Sequence, residues 1–194
     1  MRTWLLICVA GGIALLVACK STPSTAGPGP KPKPATTELT TAVDKARQGN
    51  EPKKTVIVFT DGEDKNSYYT YEQLLDKTRE SDVQVYIVAF LDLDFSNQRG
   101  FFGIGKSKRE KVEKKINAIS TYTGGKAFFP NDTQEFGKIF QSIAYELRHQ
   151  YRLAYVSSNQ VWDGTWRDID VVVKNARRRG LKVRNKKGYL AKKE

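Results

Sequence analysis

Cysteine, histidine and methionine are almost missing from this chain of 194 residues, which has two Cys, one His and one Met. Cys8 and Cys19 both fall within the first twenty positions, so the body of the chain has no disulfide, thiolate zinc site or cysteine nucleophile. The single histidine, His149, stands beside Arg148 at the end of a helical pattern, where capping of carbonyls suits it better than general-base work. No hydrolase triad can be assembled around it. Long apolar runs are lacking too, since the longest, Trp4 to Ala18, is too short to span a bilayer comfortably. Acidic residues are outnumbered: 33 Lys and Arg face 21 Asp and Glu, a net +12 that fits an anionic partner or surface, or plain solubility. What is present suffices for a core, with 39% hydrophobic and 11% aromatic residues in a length suited to one domain.

The apolar segment from Trp4 to Ala18 follows Arg2 and is shaped like a secretory signal, so the chain is expected to leave the cytoplasm. It ends Leu16-Val17-Ala18-Cys19, which resembles the lipobox of bacterial lipoproteins, where the cysteine is acylated and becomes the new amino terminus. The resemblance implies a signal peptide over 1–18, a lipid anchor at Cys19, and an exported lipoprotein held at the outer membrane or facing the periplasm. An ordinary signal peptide with an incidental Cys19 is the alternative. Residues 19–35, with Pro28-Gly-Pro-Lys-Pro-Lys-Pro34, have nothing to bury and read as an extended tether.

The stretch around which the rest is organised is Thr55-Val-Ile-Val-Phe-Thr-Asp-Gly-Glu-Asp64. Its unbroken β-forming run predicts a strand buried on both faces of a parallel sheet. The polar turn that follows places Asp61, Glu63 and Asp64 at the carboxyl end of that strand, the edge where open α/β sheets keep ligands. Clustered carboxylates suit a hard cation, and they suit a solvated turn capping the next helix equally well. Around this strand the periodicity predicts helices over 36–48, 71–80 and 108–123, a second buried strand over 83–91 and a short third over 126–129. Asn131-Asp132-Thr133 predicts the cap of a long helix through Phe136, Ile139, Phe140, Ile143 and Leu147.

Between the second strand and the third helix, Gly100-Phe-Phe-Gly-Ile-Gly-Lys-Ser107 has the spacing of a phosphate-cradling loop. Asp92 and Asp94 intervene between strand and loop, so it reads as a basic surface loop, with a nucleotide-binding enzyme as a remote alternative. After Gln150 the pattern turns to alternation. Tyr151 to Val156, Trp166 to Val173 and a run beginning at Gly180 are predicted strands, with a turn at Asp163-Gly164. Arg177, Arg178, Arg179, Lys182, Arg184, Lys186, Lys187, Lys192 and Lys193 make this extension basic, and suggest salt-sensitive binding of lipid headgroups, lipopolysaccharide or wall polymer, or merely a solvated face. Trp162, Trp166, Tyr151 and Tyr155 suit a sugar-stacking surface or the core of a hairpin.

Taken in order, the Thr55 to Asp64 stretch, the strand from Val83, Thr123-Gly-Gly-Lys-Ala-Phe-Phe129 and the helix ending at Gln150 resemble the later part of a von Willebrand factor A-type domain. Gln150 to Tyr155, Asp163 to Val173 and Leu181 to Leu190 are similar to the tail of a subgroup found in bacterial secreted proteins. The resemblance implies a partial doubly wound α/β domain over 36–150, a basic antiparallel β extension over 151–194, and a role in protein contact or adhesion rather than catalysis. It also implies Mg2+ or another divalent cation at the carboxyl edge, completed by a partner's carboxylate. Asp61 matches the aspartate of the family's Thr-Asp-Gly, and Thr37 its distant threonine, with Glu63 and Asp64 placed to meet a partner. The family's Asp-x-Ser-x-Ser loop does not occur in this sequence, so the implied site is incomplete and its affinity weak. The implied partners are an envelope protein, the membrane through acylated Cys19, and a second chain completing an exposed sheet edge. Nucleic acid is not expected of an exported chain.

Overall fold

The computed structural model describes residues 4–9, 35–60, 68–91, 104–175 and 180–192. Cys19 and the predicted tether up to residue 34 lie outside these residues. The two unbroken apolar runs are strands β2 (Lys54–Thr60) and β3 (Val83–Ala89), paired in parallel from Lys54 opposite Val83 to Thr60 opposite Ala89. Helices cover both faces of these strands, which is why neither shows polar alternation. β4 (Ala127–Phe128) continues the parallel sheet beside Ile87 and Val88. On the far side of β2, β1 (Trp4–Val9) runs antiparallel, Trp4 opposite Phe59 and Val9 opposite Lys54, giving the order β1-β2-β3-β4. This edge strand lies inside the stretch predicted as an export leader; the apolar β-formers that suit a leader suit a strand as well.

One face of the sheet is covered by α1 (Ala35–Gln48), α2 (Tyr71–Glu80) and α3 (Ile104–Tyr122). Leu39, Val43 and Ala46 of α1 and Leu74 of α2 pack with Val56, Val58, Val85 and Ile87 from the strands, and with Ile116 and Ile119 of α3. The opposite face carries α4 (Phe136–Arg148), whose Ile139 and Ile143 close over Ile57, Tyr86 and Val88. Each helix presents one apolar stripe to the sheet, as its 3.6-residue spacing predicts.

Helix ends are set by local chemistry. α2 opens with a capping box, in which the Thr70 hydroxyl accepts from Gln73 N–H at 3.3 Å and the Gln73 side chain accepts from Thr70 N–H at 2.9 Å. Asp132 caps as predicted, accepting from Gln134 N–H at 3.2 Å, but it opens a single 3-10 turn (Thr133–Glu135) that leads into α4. α3 begins at Ile104 rather than at the predicted Lys108. Gly105, Lys106 and Ser107 therefore lie in its first turn, and Gly100 to Gly103 lie outside the described residues.

The extension departs most from expectation. Tyr151 to Val156 is irregular and exposed, not a strand. Trp166 to Val173 contracts to β5 (Trp166–Asp168), which pairs antiparallel with β6 (Gly188–Leu190) rather than with a run beginning at Gly180. Gly164 N–H donates to Ala191 O at 2.6 Å, so Asp163-Gly164 joins the β6 side instead of turning a local hairpin. A small antiparallel sheet exists, assembled from distant residues. It is anchored to the main domain by Lys187 N–H on Tyr122 O at 3.1 Å and by the ion pairs Lys186–Asp82 at 2.8 Å and Lys192–Glu80 at 3.4 Å.

Candidate functional site

The carboxyl edge of the parallel sheet is where β2 ends at Thr60 and β3 ends at Ala89, held together by Phe90 N–H on Thr60 O at 2.8 Å. Asp61, Glu63 and Asp64, the predicted metal and partner residues, lie in 61–67, outside the described residues. The chain re-enters the structure at Tyr68, whose main-chain N–H donates to the Thr37 hydroxyl at 3.2 Å. α1 runs back along the sheet before β2 begins, and Lys54 Nζ donates to Arg47 O at 2.7 Å at the opposite edge. The first turn of α1 is thereby brought to the carboxyl edge, with the half-buried Thr37 against Tyr68. Of the predicted metal and partner residues, Thr37 alone lies within the described residues.

Its surroundings are polar and aromatic. Thr41 and Thr40 donate to the carbonyls of Thr37 and Thr36 at 2.9 and 2.8 Å, so hydroxyls reinforce this end of α1. Tyr68 is 84% exposed and packs edge-to-face on Tyr69 with ring centroids 5.1 Å apart. Lys77 ion-pairs with Asp44 between α2 and α1 and reaches 5.3 Å from the Tyr69 ring. Sequence reading passed over Tyr68; the signal available was a pair of adjacent tyrosines directly after an acidic turn.

A hard divalent ion asks for about six oxygen ligands. Among the described residues Thr37 supplies one hydroxyl at this edge, and no group of three or more His, Cys, Asp or Glu side chains could hold a metal ion. The described donors do not fit the ion by themselves.

The extension frames a second feature, an open cavity of about 500 Å3 between α2, the end of α3 and the β5–β6 sheet. The Arg79 guanidinium lies 4.1 Å from the Tyr122 ring centroid and 5.9 Å from that of Trp166. Trp166 Nε1 donates to Asp168 at 2.7 Å, and its ring lies so close to Gly188 that a Cβ there would meet it at 2.5 Å. A cation and a backbone already engage these aromatic surfaces, so Trp166 serves packing. Trp162, Tyr151 and Tyr155 are exposed instead, and the four aromatics do not make one stacking platform. On the other side of the small sheet, Arg167 bonds both carboxylate oxygens of Asp163 at 3.1 Å. Asp163 is held below the usual carboxylate range by the Thr165 hydroxyl, with the Thr165 N–H and Arg167 adding to it. Slight desolvation raises the Tyr155 phenol, with the neighbouring Tyr189 adding to it.

His149 closes α4 as predicted. Its N–H and Nδ1 face Tyr145 O at 3.1 and 2.7 Å, and its ring stacks on Tyr145 at 3.9 Å.

A family model described as von Willebrand factor type A domain matches residues 29–142. The match starts within the predicted tether and ends within α4. Neither the curated proteins nor the solved structures contain a match to the chain.

Proposed function

The chain belongs to the von Willebrand factor type A family, whose domains commonly mediate protein contacts or adhesion, and we propose that it is a lipid-anchored cell-envelope protein that grips a partner protein at the carboxyl edge of its sheet. The hydrogen bond between Tyr68 and Thr37 is the observation that carries this reading, because it ties the first turn of α1 to the exit of the acidic loop and leaves the Tyr68 ring outward. Exposed tyrosine beside the threonine hydroxyls of α1 makes a polar contact surface with an aromatic anchor. In its finer form the proposal gives Asp61 and Thr37 a weak share in a divalent ion such as Mg2+, with Glu63 and Asp64 turned to the partner. The lipid anchor rests on the Leu16-Val17-Ala18-Cys19 pattern.

The rival reading, an anionic-polymer module using the basic extension, has less to draw on. Arg184, Lys186 and Lys192 ion-pair with Glu146, Asp82 and Glu80, so part of the extension's charge holds it to the domain. The phosphate-loop enzyme rests on the Gly100 to Ser107 spacing alone.

A photo-crosslinking residue placed at Tyr68, and in a second variant at Asn50 at the opposite edge, tests the proposal in intact envelopes. A discrete protein adduct from position 68 and none from 50 is expected. Adducts from both or from neither overturn it, and loss of the position-68 adduct on chelation would support the finer, ion-assisted form.

A further inference from the structure

The extension leaves apolar side chains in water to a degree that the domain core does not. Tyr151 is 95% exposed, Val156 86%, Leu153 71% and Trp162 60%, and the segment that carries them lies outside any strand ladder. All four lie within the twelve residues 151–162. Arg167 and Tyr189 are cross-strand partners, and Arg167 donates to Val161 O at 3.3 Å next to Trp162. Trp166 and Leu190 line the cavity on the α2 side, so the face defined by Arg167 and Tyr189 looks away from the domain.

The same region is the most basic of the chain, with twelve Lys and Arg against four Asp and Glu between residues 151 and 194. Arg167, Arg184, Lys186 and Lys192 are held in ion pairs, whereas Arg152, Lys174 and Lys182 are exposed, each next in sequence to an exposed apolar residue. We propose that the exposed segment 151–162 of the extension, presenting Leu153, Tyr155, Val156 and Trp162 with Arg152 in the same segment and Lys182 in the same extension, docks on an anionic lipid surface at headgroup depth. Tyrosine and tryptophan carry an apolar body and a polar tip and favour that boundary, while cations are drawn to acidic headgroups. Aliphatic side chains discriminate lipid from a charged polymer. Leu153 and Val156 gain by leaving water, and a sugar or phosphate polymer offers them little. The docking depends neither on an ion at the carboxyl edge nor on a protein partner there.

The test uses the full chain as Cys19→Ser, so that acylation does not contribute, with vesicles of phosphatidylcholine alone or mixed with phosphatidylglycerol. Co-sedimentation with the anionic vesicles is expected, weakened by at least about tenfold in the triple variant Leu153→Ser/Val156→Ser/Trp162→Ser. Lys182→Gln should weaken it less, and raised salt should weaken the parent and this variant alike. All three replaced side chains are exposed, so an unchanged melting temperature verifies the fold. Equal binding by parent and triple variant would reduce the contact to charge or to the shared amino-terminal segment and overturn the proposal. Absence of binding to anionic vesicles would overturn it as well and assign the apolar face to a protein partner.

Discussion

At the residue scale, two positions show how closely the sheet is built. Gly125 ends the turn after α3 against β3, and a Cβ there would stand 1.9 Å from Val85 O, inside any permitted contact. Gly125→Ala must push β3 and the turn apart, so it should destabilise the fold by at least about 2 kcal/mol, read as a lower urea midpoint. Tyr86 is buried between the sheet and α4, and its hydroxyl donates to Glu146 at 3.2 Å. Burial, then the Glu146 carboxylate, raises its pKa well above the ordinary value of 10.0. The folded state thus holds the phenol proton more tightly than the unfolded chain does. The stability this gives is fully present below pH 10.0 and is lost as pH rises from there through the raised folded value. Tyr86→Phe should cost about 1 kcal/mol at neutral pH and flatten the alkaline fall in stability, measured by denaturant melts across that range.

At the scale of elements, what could be read depended on whether an element carried its own reasons. α2 did: the Thr70 capping box and Leu74 lie within the chain segment itself, and its predicted and observed bounds agree. Thr70→Ala should cost about 1 kcal/mol and fray the first turn of α2, visible as faster amide exchange there. β2 and β3 were legible because a strand buried on both faces must be apolar throughout. The start of α3 was misplaced because Gly103 and Gly105 argue for loop, while the helix begins between them at Ile104. The extension misled most. Tyr151 to Val156 alternates like a strand, but a strand needs a neighbour's ladder, and alternation cannot reveal whether one is within reach. β6 was hidden for the opposite reason. Gly188 disfavours a strand by propensity, yet its Cβ would lie 2.2 Å from Arg167 O, so close pairing with β5 demands glycine.

At the scale of the whole molecule, the three-layer arrangement gives the two ends of the sheet different work. The amino edge is closed by structure, as where Lys54 meets Arg47 O, whereas the carboxyl edge carries Thr37 and the outward Tyr68. Thr37 was singled out through the resemblance to the family, and its contact with Tyr68 was not legible in the sequence. Asp61, Glu63 and Asp64 lie outside the described residues, and a contact surface is defined as much by what packs beside it as by motif. The basic extension adds a second outward face whose charge was plain from composition. Its use of Arg184, Lys186 and Lys192 in ion pairs depends on long-range folding and was not legible.

Hydrogen exchange of the chain, free and bound in its envelope complex, tests the central claim most directly. Slowed exchange over residues 37–42 and 68–74, with residues 46–53 at the opposite edge unchanged, is the predicted result. Protection confined to residues 46–53 or to the extension, with the carboxyl edge exchanging as in the free chain, would contradict it.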